Sequence, residues 1–118
     1  MKNRPFHERL IFALDGIAAA WRRESSFRTQ TVFAALVAVI LILLQPSLVW
    51  WALIGLTISF VLTIELLNSA VEALVDHLHP DKHPQVRIIK DMAAAAVLVA
   101  SAGALLIGFL LLITIMWP

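Results

Sequence analysis

The sequence predicts an all-α membrane protein, with an N-terminal amphipathic helix followed by three transmembrane helices. Three observations carry this. The 118-residue chain is 61% hydrophobic, with a mean hydropathy of +0.90, too apolar for a soluble domain of this size to bury. Its charges are unevenly placed: none lies between Thr29 and Ile64, and none follows Asp91. Both gaps exceed the roughly 20 apolar residues that cross a bilayer. The length suits one domain, 1–118, and no internal repeat or low-complexity tract divides it.

From Phe6 to Trp21 the apolar residues Phe6, Leu10, Ala13, Leu14, Ile17 and Trp21 recur at three- and four-residue spacing. Residues 5–23 therefore read as a helix lying in the membrane interface, with Pro5 tolerated in its first turn. A soluble helix packed on the rest of the chain is the alternative. The polar junction Arg22–Arg28 leads into a first span at 26–45, which Ser25 or Ser26 is expected to cap. Pro46 biases Gln45 away from helical geometry and marks a tight turn. The second span, 48–78, opens on Trp50 and Trp51, residues suited to the membrane boundary, and carries a cytoplasmic extension. A hydrophilic loop with Pro80 and Pro84 separates it from the third span, 86–117. The alanines between Ala93 and Ala104 suit close packing in lipid, and Trp117 anchors the far end.

Six Lys or Arg lie before or in the first turn of the first span, three lie between His77 and Asp91, and none lies in the Gln45 turn or at the C-terminus. The positive-inside rule then predicts a multi-pass protein of a bacterial cytoplasmic membrane, N-terminus inside and C-terminus on the opposite side. A net charge of +1 without a basic cluster gives no support for nucleic acid as a partner. The absence of cysteine excludes disulfides and thiolate zinc sites. The charged residues of the N-terminal segment argue against a cleavable signal.

The second span ends in Glu65-Leu-Leu-Asn68-Ser69-Ala-Val-Glu72-Ala-Leu-Val-Asp76. At about 100° per residue, Asn68, Ser69, Glu72 and Asp76 fall within roughly 60° of Glu65. A charge inside a membrane helix costs about 2.5–3.5 kcal/mol even on insertion scales, so this stripe must face protein, metal or water. Lys90 and Asp91 open the third span and Glu24 and Arg28 flank the first, all on the cytoplasmic side. Paired carboxylates are hard ligands suited to magnesium with substrate phosphates, and Lys90 and Arg28 suit phosphate oxygens. Glu65 is deepest, about 10 Å along the helix from Glu72, which favours a proton-accepting role. Phosphoryl transfer to a hydroxyl at the interface fits this set.

Plainer readings stay open at this point. The stripe could be inter-helix glue in an oligomer, Glu24 and Arg28 a solvated i,i+4 pair, and Lys90 and Asp91 interface anchors. The histidines at 77, 79 and 83 beside Asp81 read better as a solvated loop than as a metal site. No GxxxxGK[ST], glycine-rich nucleotide loop or kinase catalytic-loop pattern occurs, so any nucleotide site must be built by helices.

The Glu65–Asp76 stretch closely resembles the signature of the prokaryotic integral-membrane diacylglycerol kinases. The likeness extends through Ala-Ala-Trp21, through Glu24 two residues before Ser26-Phe27-Arg28, and through the Lys90-Asp91 pair a loop's length after Asp76. It implies a homotrimer of three-span subunits that moves the γ-phosphate of MgATP to the 3-hydroxyl of diacylglycerol, giving phosphatidic acid. On this resemblance Glu65 is the catalytic base, and Glu24 and Glu72 hold Mg2+. The nucleotide is contacted by Glu24, Glu72, Asp81, Lys82, His83, Lys90 and Asp91. Asn68 and Asp76 are further polar site residues, and Trp21, Ser26, Phe27 and Arg28 join Glu65 at the lipid.

Two departures stand out. Many relatives carry Gln-Glu after Phe27-Arg28, where this chain has Thr29-Gln30, and an aromatic hydroxyl of some relatives is replaced by Phe12. A branch of the same family phosphorylates undecaprenol; the Trp21 context looks closer to the diacylglycerol branch. The rival from another class is a small proton-coupled transporter. Such proteins have four spans and a mid-membrane Glu in the first, against three spans here with the acidic cluster ending the second. A non-catalytic membrane scaffold would not need carboxylates converging from three separate segments.

Overall fold

A computed structural model describes residues 2–118 as four helices: α1 (Phe6–Arg23), α2 (Ser25–Leu44), α3 (Leu48–Leu78) and α4 (Pro84–Met116). The last three are long and apolar enough to cross a membrane. At 1.5 Å per residue α3 is about 46 Å long and α4 about 50 Å, well beyond a hydrocarbon core of ~30 Å. Each can therefore cross the bilayer and still project into water. That surplus accommodates the charged turns at the end of α3 and the start of α4.

Helix α1 carries Glu8 in its first turn and Arg22 and Arg23 in its last, charges that oppose the helix dipole at both ends. The chain breaks at Glu24, which is extended (φ −118°, ψ 109°) and separates α1 from α2. Neither Ser25 nor Ser26 caps α2. Glu24 occupies the N-cap position, and no side chain bonds the free N–H groups. The Glu24–Arg28 ion pair, one of the plainer readings of that spacing, does not form among the described residues. Arg28 reaches back to donate to the carbonyls of Trp21 (2.6 Å) and Arg22 (3.2 Å), closing the C-terminus of α1. One nitrogen, Nη1, makes both bonds, and Glu24 stands in extended backbone outside α2.

At the other end of α2, Gln45 takes the left-handed conformation (φ 48°, ψ 56°). Its N–H donates to Leu41 at 2.9 Å and its side-chain amide to Ile42 at 2.8 Å. The turn therefore satisfies two α2 carbonyls before Pro46 prevents continuation. Ser47 then leads into α3, whose first turn bonds back to the Ser47 carbonyl.

Helix α3 packs chiefly on α4 and more lightly on α2 and α1. A small core of Leu41, Ile54 and Leu111 sits at the Gln45-turn end. Trp50 and Trp51 are half-buried against it, so they pack on protein as well as standing near the boundary. Only seven hydrophobic side chains are buried among the described residues, while residues such as Leu43, Leu56, Leu98 and Leu105 stay mostly exposed. So large an apolar surface needs lipid or further protein to cover it. The small-residue stretch is only partly used within the chain: Ala100 is buried, whereas Ala94, Ala95 and Ala96 remain exposed. Hydroxyls within the spans satisfy themselves locally, as Thr57, Ser59, Thr63 and Thr114 each donate to the carbonyl four residues earlier. In hydrocarbon this removes an unpaired donor that would otherwise be costly.

Candidate active site

The stripe on α3 grades from buried to exposed along its length. Glu65 is 1% exposed and is the largest fully buried side chain among the described residues. Ser69 is also buried, Asn68 and Glu72 are half-buried, and Asp76 is open. A carboxylate that deep needs a donor, and Ser26 supplies it from the first turn of α2. The Ser26 hydroxyl donates to Glu65, with its Oγ 2.9 Å from Oε1 and 3.0 Å from Oε2. The extended break at Glu24 makes this possible, because it sets the start of α2 beside the middle of α3 rather than in line with α1.

Asn68 adds a second signal. Its Oδ1 is buried and has no hydrogen-bond partner among the described residues. Native structures rarely leave such an atom unpaired without a ligand, an ion or another chain to meet it. Glu72 lies one turn further along the same face. Glu24 lines a cleft of about 330 Å³ between α1 and α3, whose walls also include Gly16, Ala20, Ser69 and Ala73. Among the described residues no three His, Asp or Glu side chains gather as a ready metal cluster. The available donors are nevertheless all oxygen, the set magnesium takes together with phosphates and water.

A second cleft, of about 450 Å³, opens at the α3–α4 loop between Asp76, Asp81, Lys82, His83, Arg87 and Lys90. Lys90 Nζ pairs with Asp76 Oδ1, tying the exposed end of α3 to the first turns of α4. Arg87 bonds Asp91 at 3.3 Å, but both are well exposed and such a pair contributes little. The loop is ordered by its own contacts. His83 accepts from the Gln85 N–H through Nδ1 at 3.1 Å, which caps α4, and Pro84 takes the following position. The His79 ring meets the His83 ring edge-on at 5.4 Å, and its Nδ1 lies 3.2 Å from the Asp81 carbonyl. With Nδ1 of His83 accepting, a neutral ring carries its proton on Nε2 and presents a donor there.

The other residues singled out in the sequence divide by location. Trp21 is exposed at the end of α1, Phe12 is exposed on the same helix, and Phe27 is buried. Gln30, at one of the two departures from the relatives' pattern, donates to Ser101 Oγ at 3.4 Å and so links α2 to α4. Sequence reasoning missed the contact between Ser26 and Glu65. Its signal was a hydroxyl in the turn just before an apolar span, which reads equally as a helix cap.

Comparison with known proteins bears on this arrangement. The family model described as prokaryotic diacylglycerol kinase matches residues 11–112. The chain belongs to the prokaryotic diacylglycerol kinase family. Among curated relatives, a diacylglycerol kinase of Escherichia coli K12 is 35% identical over 101 residues, covering 86% of this chain and 83% of the relative. A diacylglycerol kinase of Helicobacter pylori is 34% identical over 90 residues, covering 76% and 70%. An undecaprenol kinase of Bacillus subtilis is 33% identical over 106 residues, covering 90% and 86%. Family membership makes this a bacterial membrane protein related to lipid kinases. The relatives of this diacylglycerol kinase family member carry two acceptor names, diacylglycerol and undecaprenol, at nearly equal identity.

Proposed function

We propose that the protein is an ATP-dependent lipid kinase that transfers the γ-phosphate of MgATP to the 3-hydroxyl of diacylglycerol, giving phosphatidic acid. The observation that carries the reading is Glu65: a fully buried carboxylate, bonded by one hydroxyl, in a family of lipid kinases. A carboxylate held in that way can take the proton of an acceptor hydroxyl as its oxygen attacks phosphorus. The P–O bond to the leaving ADP breaks with its electron pair going to ADP. Lys90, Lys82 and His83 around the loop cleft supply donors for the nucleotide phosphates and base, and Asp91 closes the same end.

The donor set also fits magnesium. Glu24, Glu72 and Asn68 Oδ1, which has no partner among the described residues, would hold it, and the ion would supply charge neutralisation for the nucleotide phosphates. On this reading α1 is an amphipathic helix on the cytoplasmic surface of the inner membrane, and Trp21 and Arg28 stand near the lipid headgroup. A homotrimer would cover part of the apolar surface that the single chain leaves exposed and bring the separated carboxylates of different subunits to shared sites. The C-terminus would lie outside the cytoplasm. A reporter that is active only in the cytoplasm should be silent when fused after Pro118, and an active fusion would reverse this topology.

One observation favours a second acceptor: the undecaprenol kinase relative matches 90% of the chain. Purified protein in mixed micelles, given γ-labelled ATP, magnesium and equal amounts of diacylglycerol and undecaprenol, separates the two. Label mainly in phosphatidic acid is expected. Label mainly in undecaprenyl phosphate would transfer the assignment to the other branch.

A further inference from the structure

We infer that Ser26 is a positioning residue for Glu65, and that it acts on turnover rather than on nucleotide binding. The inference rests on the proposed role of Glu65 as base. Its observation is separate: one hydroxyl, from a different helix, lies within hydrogen-bond distance of both carboxylate oxygens at nearly equal distances.

A side chain with three rotatable bonds has several ways to lie against a membrane helix. A donor placed between its two oxygens favours the one in which the carboxylate faces α2. The same hydrogen bond replaces part of the hydration that a 1%-exposed carboxylate has lost. No other side chain or backbone donor reaches the Glu65 carboxylate among the described residues. Ser26 itself remains exposed at the α1–α2 junction, beside the extended break at Glu24. Its oxygen retains lone pairs while donating its only proton. Ser26 therefore stands between the buried base and the surface from which an acceptor alcohol must arrive. An incoming hydroxyl meets a carboxylate whose direction is already set.

Neighbouring features make this arrangement specific. The expected capping role of Ser26 is unfilled, so its hydroxyl has no competing duty at the helix start. The junction is held by Arg28 on the Trp21 and Arg22 carbonyls, which fixes where α2 begins and hence where Ser26 points.

The test uses full-length protein with Ser26→Ala, Ser26→Thr, Ser26→Asn and Glu65→Gln measured side by side. Turnover, the KM for MgATP, the KM for lipid and the thermal midpoint are determined for each. Loss of a hydrogen bond to a charged group predicts that Ser26→Ala lowers kcat about ten- to a hundredfold, with the MgATP KM unchanged. Thr and Asn keep a donor at this position and should recover most of the loss. Wild-type turnover in Ser26→Ala, or faster turnover with a lower lipid KM, would overturn the inference, the latter by making Ser26 a competitor of the acceptor. A loss that neither Thr nor Asn recovers, accompanied by a fall in thermal midpoint, would also overturn it in favour of a purely structural contact. Glu65→Gln separates the two levels. If that variant keeps its turnover, the base assignment fails; if it is inactive while Ser26→Ala is normal, only the positioning role fails.

Discussion

Glu65→Gln should lower turnover by about two to four orders of magnitude while leaving the protein folded and its affinity for MgATP nearly intact. The range is that of a positioned general base. The physical reason lies in what the substitution preserves. Glutamine has almost the shape of glutamate, and its carbonyl oxygen can still accept the Ser26 hydroxyl that now lies 2.9 and 3.0 Å from the carboxylate. It cannot take a proton from an acceptor alcohol. Burial makes the neutral amide easier to accommodate than the anion, so the thermal midpoint should hold or rise. Turnover close to wild type in this variant would remove Glu65 from the role of base.

Glu72→Gln should have the second largest effect, of a different kind. Glu72 is half-buried one turn beyond Asn68, whose Oδ1 has no partner among the described residues. Replacing one anionic oxygen donor by a neutral one weakens a magnesium site built from few protein ligands. The magnesium concentration for half-maximal activity should rise at least about tenfold, and activity should be partly restored at high magnesium. Glu65→Gln should show no such recovery. An unchanged magnesium dependence in Glu72→Gln would place the ion elsewhere. Measuring magnesium titrations of both variants on the same preparation distinguishes a lost base from a lost ligand.

Much of the architecture was legible before the structure, for reasons of solvent. The two stretches free of charge and the apolar composition leave few folds open to a chain of this length, and a membrane-spanning helix is one that satisfies its own backbone. The polar stripe was legible because helical periodicity puts Glu65, Asn68, Ser69, Glu72 and Asp76 on one face whatever that face meets. What it meets was not legible. The partner of Glu65 depends on where α2 starts and how it is rotated against α3, and a one-residue change in that break would move Ser26 by about 100° around its helix.

Arg28 illustrates the same limit. Its spacing from Glu24 is that of a helical ion pair, but Glu24 lies outside α2 in extended backbone, so the spacing does not bring them together. The guanidinium instead finds two carbonyls at the end of α1. Gln45 shows how a local rule can be right in direction and incomplete in result: Pro46 keeps it out of the right-handed helix and the tight turn forms, but the rule does not name the left-handed cap that Gln45 adopts. Lys90 and Asp76 were both singled out as polar site residues, and their pairing across α3 and α4 emerged only from the packing of those helices.

The most direct test of a lipid kinase built on Glu65 is transfer of label from γ-labelled ATP to lipid by intact, purified protein in magnesium-containing micelles. Wild-type protein should produce labelled phosphatidic acid, and Glu65→Gln of equal thermal stability should produce almost none. Intact wild-type protein that binds MgATP but labels neither diacylglycerol nor undecaprenol would contradict it.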